Sequence, residues 1–299
     1  MSLRIGVVNR FGSTPPEAYA LGRALEAAGA TFIPLPLSSF HVVPQSRRPP
    51  SVRILADNGR TTTTRDVQAL GLAGVLWRVS ENCWPACQNL VTALGASCRV
   101  INSPTCIRTC ADKWLTHLSL SAAGVPSVST WLVPPGALAP DTGTVMTVVK
   151  PAVGAGGRGI RAVRPGEVLN EQEALVAQPL LTAPPEEHVR VVVCRTEPVA
   201  AMRRRPPPGN RVNPVKVNNI EAEGTPIPTD IGPVGDLAAA AAAAVGGDVV
   251  AVDLVPGLDG RWCVLEVNSS PGLNGMEAAA VGCHAAVARR VVSLLGSVQ

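Results

Sequence analysis

A parallel α/β domain followed by an α+β domain is the architecture this sequence predicts, and three observations predict it. Strand and helix signals alternate through the first hundred residues, the pattern of a parallel sheet covered by crossover helices. From Val128 onward the texture changes to short β-rich runs punctuated by Gly and Pro. The chain has 299 residues, 46% of them hydrophobic, and a mean hydropathy of +0.23. That length suits about two domains, each able to bury a sizeable core.

The elements follow in order. Residues 3–8 read as a buried strand. Residues 15–28 read as a helix with Ala18, Leu21, Leu25 and Ala28 along one face, closed by Gly29. A strand at 31–35, a Pro- and Arg-rich loop at 44–50, a strand at 74–78 and a helix at 85–94 come next. Asn102-Ser103-Pro104 opens a helical region, with Ser103 as its cap and Pro104 at the first helical position. Gly124-Val125-Pro126 ends that region. Strands are expected at 144–150, 160–163, 189–194 and 199–205, then an alanine-rich helix at 237–245. Strands 249–254 and 262–267 flank the turn Gly257-Leu258-Asp259-Gly260, and a closing helix covers 276–295. The expected domains are 1–101, 102–187 and 188–299.

Several classes are excluded or disfavoured. No apolar run approaches the ~18 residues of a spanning helix. The first residues lead straight into a strand with no export signal, so a cytoplasmic location is expected, with the eight cysteines as reduced thiols. A net charge of +4, from 26 basic and 22 acidic residues, is too mild for a dedicated nucleic-acid binder. The basic residues are unevenly chosen, however: only Lys113, Lys150 and Lys216 are lysines, against 23 arginines. Positions that keep lysine in such a chain suggest a need for a compact point charge in place of a planar fork.

Three constellations carry chemistry. Lys150-Pro151-Ala152-Val153-Gly154-Ala155-Gly156-Gly157-Arg158-Gly159 formally contains a dinucleotide G-x-G-x-x-G, but Ile160 to Arg164 alternates as a strand where that motif needs a helix. A strand, a glycine loop and a strand make a hairpin flap whose N–H groups suit phosphate oxygens, with Lys150 as a nearby charge. Glu266 and Asn268, two apart on a strand, share a face, and Asp253 lies on the preceding strand. Two carboxylates and an amide oxygen form a hard oxygen cage that suits Mg²⁺ better than Zn²⁺. Met202-Arg203-Arg204-Arg205 is followed by a segment holding Arg211 and Asn213, and Arg203 and Arg205 share a strand face, charge that suits a transferring phosphoryl group or a substrate carboxylate. Cys83/Cys87 and Cys106/Cys110 lack histidine neighbours and read as core, and His41, His117 and His284 earn no role. Neither a Walker loop nor a nucleophile elbow occurs.

Together these stretches resemble the ATP-grasp superfamily, and within it the RimK-like carboxylate–amine ligases, over nearly the whole chain. Asn102-Ser103-Pro104 with Ala111-Asp112-Lys113 resembles the family's "NSP … RDK" helix, and Val149-Lys150-Pro151 with Gly154 to Gly159 its flap. Ala177-Gln178-Pro179-Leu180-Leu181 stands where the family has "VQEYI", and Val189-Arg190-Val191 with Val199 to Arg204 is similar to "DIR … VVAAMRR". Arg211-Val212-Asn213 resembles "RxN". Ala251 to Leu254 with Leu265 to Leu273 resembles "GVDLL … LEVNSSPGL", the longest and most specific match.

The resemblance implies an ATP-grasp fold, two lobes sandwiching ATP: 102–187 as the lobe with the flap, 188–299 as the lobe with the metal-binding strands. It implies that Lys113, Lys150, Gly156, Gly157 and Gly159 meet the phosphates, and that the adenine edge meets the segment Gln178, Pro179, Leu180 and Leu181. Asp253, Glu266 and Asn268 would ligate two Mg²⁺ ions, with Mn²⁺ as a substitute, while Arg203, Arg211 and Asn213 face the reacting groups. The implied reaction phosphorylates a carboxylate with ATP and passes the acyl group to an amine, amino acid or peptide, releasing ADP and phosphate. Neither nucleic acid nor membrane is an expected partner; family members often form homo-oligomers. Three positions depart from the family pattern: Pro179 replaces a hinge Glu, His188 replaces the ribose-binding Asp, leaving that role to Glu187 or Glu186, and Val215-Lys216-Val217 replaces an "HRGG" loop. Two other readings share the ATP residues: a phosphotransferase that stops at a phosphorylated small molecule, and an ATP-binding scaffold without turnover.

Overall fold

The computed structural model describes residues 2–9, 16–48, 50–57, 62–79, 85–154, 156–181, 187–205, 225–232, 234–280 and 282–297. Two units emerge: Met1–Ile107 with Ser270–Asn274 and Gly282–Gln299, and Arg108–Ser269 with Gly275–Val281.

The first unit begins with β1 (Arg4–Asn9), α1 (Pro16–Ala27) and β2 (Thr31–Pro36). Then come β3 (Phe40–Val43), β4 (Ser51–Asp57), β5 (Thr62–Asp66), β6 (Gly74–Trp77), α2 (Ala86–Gly95), β7 (Val100–Ile101) and α3 (Pro104–Ala111). A parallel sheet runs in the order β2-β1-β6-β7. Its central β1 is apolar on successive residues and buried on both faces, as strands in covered parallel sheets are. Ser103 caps α3 as expected, its Oγ accepting the Cys106 N–H at 3.1 Å. Strands β3–β5 form an antiparallel sheet that the sequence reading missed. Its strands are short, Val42 and Val43 of β3 remain exposed, and Val52 and Ile54 of β4 turn inward around exposed Arg53. So weak a period-2 signal does not announce a strand.

The second unit continues with α4 (Lys113–Ala122), β8 (Trp131–Val133), β9 (Thr147–Pro151), β10 (Arg161–Val163) and β11 (Leu175–Pro179). It goes on through β12 (Val189–Cys194), β13 (Glu197–Arg205), β14 (Thr225–Pro228), α5 (Gly235–Ala244), β15 (Val249–Pro256) and β16 (Trp262–Asn268). The helical region expected as one piece after Ser103 breaks at Asp112, whose Oδ1 accepts the N–H groups of Trp114 and Leu115 at 2.9 and 3.2 Å and so starts α4 afresh. One sheet has the order β10-β9-β11-β8, the other β14-β13-β12-β15-β16. β9 and β10 pair antiparallel across the glycine loop, which makes the flap a hairpin.

After α6 (Asn274–Ala279) the chain turns at Gly282, at a φ of +99°, into α7 (Cys283–Gly296). This helix packs within the first unit, not with 188–299 as grouped in the sequence. A Cβ on Gly74 of β6 would stand 2.5 Å from Leu295 Cδ2, so only glycine admits the helix so close to the sheet. Cys106 and Cys110 are buried core residues, and none of the seven described cysteines forms a disulfide. Among the described residues no helix is long and apolar enough to cross a membrane.

Candidate active site

The site grows from the hairpin β15–β16. Val252, Leu254 and Val267 are fully buried, which fixes the opposite face for Asp253 and for the alternate positions of β16. A bulge decides which residue meets Asp253. Leu254 pairs with Val264, but Asp253 pairs with Glu266, so Leu265 is the extra residue. Without it, Leu265 would oppose Asp253 and Glu266 would turn away. With it, Asp253 and Glu266 face each other directly, and Asn268, opposite Ala251, sends its Nδ2 to Asp253 Oδ2 at 3.2 Å.

β12 adds a residue the sequence reading did not place in the site. Arg190 pairs with Asp253 across the ladder. Its Nε donates to Oδ1 at 2.6 Å and its Nη2 to Oδ2 at 2.7 Å, a bidentate clamp with both side chains largely buried. Burial works against the Arg190 charge, but Asp253 more than restores it, and the guanidinium is held above its ordinary pKa. The signal was available: a lone arginine inside Val189-Arg190-Val191-Val192-Val193 calls for a buried anion.

Two lysines of the same unit come from its other sheet and from α4. Lys150, near the end of β9, is 5% exposed, and burial pulls its pKa down to about 8. Glu266 and Asp253 oppose that shift, while Lys113 adds to it. Lys113, 8% exposed, begins α4 and is stitched to the glycine loop: its N–H donates to the Ala152 carbonyl at 2.8 Å and its Nζ to the Gly154 carbonyl at 2.8 Å. Gly156, Gly157 and Gly159 take φ values of +72°, +66° and +72°, open to glycine and strained for other residues. Lys113, Lys150 and Arg190 thus gather with two carboxylates, an excess of one positive charge that suits a polyanion.

The segment after β11 is extended. The Leu180 N–H turns back to the Met146 carbonyl at 3.3 Å. Alternation then sends the Pro179 carbonyl and the Leu181 N–H toward the other edge, along which β8 pairs only at Leu175–Ala177. Gln178 points inward, 2% exposed, with its Nε2 on Thr130 Oγ1 at 2.8 Å and His117 Nε2 at 3.0 Å. His117, given no role by the sequence reading, is a neutral partner there: burial, then Lys150, holds its pKa near about 3. The Gln178 side chain therefore supports the segment from behind. Gln178→Leu is expected to cost about 1–3 kcal/mol, from buried partners left unmatched, read as a lowered melting temperature.

Other expected site residues separate. Arg203 pairs with Val189 and Ile227, which puts it on the face of the sheet turned away from Asp253; its Nε is buried without a hydrogen-bond partner among the described residues. Alternation gives the Asp253 face to Met202 and to register position 204. Glu187 is exposed and His188 partly buried just before β12. Arg211, Asn213, Glu186, Ala155, Cys83 and Lys216 lie outside the described residues.

The residues present fit Mg²⁺ with ATP phosphates: the donors on the Asp253 face are oxygens, two of them carboxylates held in direct register, and the cations border them. Residues 145–291 match the family described as the RimK-like ATP-grasp domain. Solved structures share the fold at low identity. A RimK domain protein of ATP-grasp type from Sphaerobacter thermophilus is 17% identical over 97% of this chain and 98% of its own, with a TM-score of 0.64. D-cycloserine synthetase DcsG is 18% identical over 98% and 99%, with a TM-score of 0.67. The ATP-grasp ligase PsnB, complexed with a minimal precursor, Mg and ADP, is 18% identical over 98% of each chain, with a TM-score of 0.63.

Proposed function

We propose that this chain, whose residues 145–291 match the RimK-like ATP-grasp domain, activates a carboxylate as an acyl phosphate with ATP and joins it to an amine, releasing ADP and phosphate. The carrying observation is the Asp253–Glu266 pair held in register beside Lys150 and Lys113. A carboxylate is a poor electrophile, and phosphorylation gives it a leaving group. Lys150 and Lys113 bind the transferring phosphates, the glycine loop encloses them with backbone N–H groups, and Arg190 holds Asp253 in its working orientation. Asp253, Glu266 and Asn268 hold Mg²⁺, two ions in this reading and replaceable by Mn²⁺; the metal supplies charge neutralisation on the phosphates. The Pro179 carbonyl and the Leu181 N–H meet the adenine edge, and Glu187 with His188 the ribose. An amino acid or peptide is the substrate class, supported by the amino-acid-sized product named for DcsG and the precursor bound to PsnB.

Hydroxylamine trapping tests this. Protein, ATP and Mg²⁺ are mixed with pooled amino acids, short peptides and other carboxylates, and hydroxamates are read by mass spectrometry. A hydroxamate that tracks ADP release is expected. ADP release that phosphorylates a small molecule and gives no hydroxamate favours the phosphotransferase, and ATP binding without ADP release the scaffold.

A further inference from the structure

The peptide plane between Pro179 and Leu180 has a single donor to steer it. Pro179 carries no N–H, so hydrogen bonds reach the plane's donor side only through the Leu180 N–H. The peptide is trans, which sets its carbonyl and its N–H in opposite directions. Whatever accepts the Leu180 N–H therefore aims the Pro179 carbonyl as well.

Two oxygens accept it. The Met146 carbonyl and Thr144 Oγ1 each lie 3.3 Å from the Leu180 nitrogen. Thr144 Oγ1 also donates to that same carbonyl, at 2.7 Å, so the three groups close on one another. Its proton being used there, the Thr144 oxygen is left to accept from its neighbours. Behind it stand two more hydroxyls. Thr142 Oγ1 is 3.0 Å from both Thr144 Oγ1 and Thr147 Oγ1, and Thr147 donates to the Pro140 carbonyl at 3.0 Å. Thr142 and Thr147 are buried, whereas Val145 between them is 90% exposed. Hydroxyls, not apolar contacts at Val145, thus tie this turn to the Leu180 peptide. Beyond the plane, Leu181 packs against Val128, Val255 and Cys263, which holds the segment from its other end.

We propose that Thr144 is a positioning residue for base recognition: its hydroxyl turns the Pro179 carbonyl away from β9 as an acceptor and so sets a preference for adenine over hypoxanthine. The proposal rests on the reading that this segment meets the adenine edge. Adenine offers an amine donor beside a ring-nitrogen acceptor, which matches the Pro179 carbonyl and the Leu181 N–H. Hypoxanthine offers the reverse, a carbonyl acceptor beside an N–H donor, on the same ribose and triphosphate. ITP therefore changes this edge and leaves the phosphate and metal contacts alone. Against a fixed carbonyl and N–H it sets acceptor on acceptor and donor on donor.

The test measures Kd for ATP and for ITP, each with Mg²⁺, on the full chain and its variants, beside the melting temperature of each apoprotein. The native chain is expected to prefer ATP by at least about a hundredfold. Thr144→Val and Thr144→Ala should each lower that preference about tenfold, through weaker ATP binding with ITP little changed. Thr144→Ser, which keeps the hydroxyl, should stay within about threefold of the native ratio. A ratio unchanged in the Val and Ala variants overturns the proposal. So does an equal loss of both nucleotides, the mark of a merely structural threonine, or a Ser variant that loses as much as Val. Each of those results leaves the ATP reading standing. A native chain that binds neither nucleotide, or both alike, overturns the reading of the segment and the proposal with it.

Discussion

Glu266→Gln is expected to abolish ADP release, by at least about a thousandfold, and to leave the melting temperature nearly unchanged. Asp253→Asn is expected to abolish ADP release equally and also to destabilise the protein. The difference comes from what each carboxylate holds. Glu266 is only partly buried, and among the described residues no salt bridge joins it to a cation, as one joins Asp253 to Arg190. Asp253 is 5% exposed and carries both arms of the Arg190 fork. Neutralising it leaves a buried guanidinium without its counter-charge, a loss of about 3–5 kcal/mol, or on the order of 10 °C in a chain of this size. Calorimetry beside a coupled ADP assay reads both quantities. Full turnover in Glu266→Gln overturns the assignment of the carboxylate pair.

Lys150→Met is expected to do the reverse: ATP binding falls by roughly a hundredfold, while the apoprotein becomes more stable below pH 8. In the unfolded chain this lysine keeps its proton up to about 10.5, and in the folded chain burial brings that down to about 8. Between those values folding releases a proton, so the stability contribution of Lys150 rises with pH across that window. Below about 8 the folded protein carries a buried charge at a cost on the order of 3 kcal/mol, which Met removes. Phosphate contact needs the charged form, so ATP affinity in the native protein should fall as pH rises through about 8. Titration calorimetry and thermal melts between pH 6 and pH 10 check both directions; an ATP affinity indifferent to Lys150→Met overturns the phosphate role.

Legibility in the sequence followed the range of the interactions. The glycine loop between two strands was legible because its chemistry is local: Lys150 and the run of glycines say what they need without a partner. The carboxylates were legible as residues, but the bulge at Leu265 that makes Glu266 face Asp253 follows from the packing of two strands, and no local pattern around Val264 announces it. Arg203 shows the same limit from the other side. An arginine run on a strand offers alternate faces, and only pairing with Val189 decides which arginine turns away. Arg190 and His117 were passed over because their meaning lies in distant partners, Asp253 and Gln178. The sheet β3–β5 was lost for want of clear period-2 patterning, with the adjacent Val42 and Val43 of β3 both exposed.

The placement of α7 has a consequence for how the molecule is made. Its residues 283–296 complete the unit that residues 1–107 begin, and Leu295 fills the space that Gly74 leaves over the sheet. A ribosome that delivers the chain from its amino end therefore exposes the first unit long before its last helix exists. The ATP-site unit, nearly all of it within 108–269, has its sequence complete earlier. Synthesis order and completion order are inverted: of the two units, the one begun first is finished last, and its unfinished apolar face must stay out of trouble until residues 283–296 have been made.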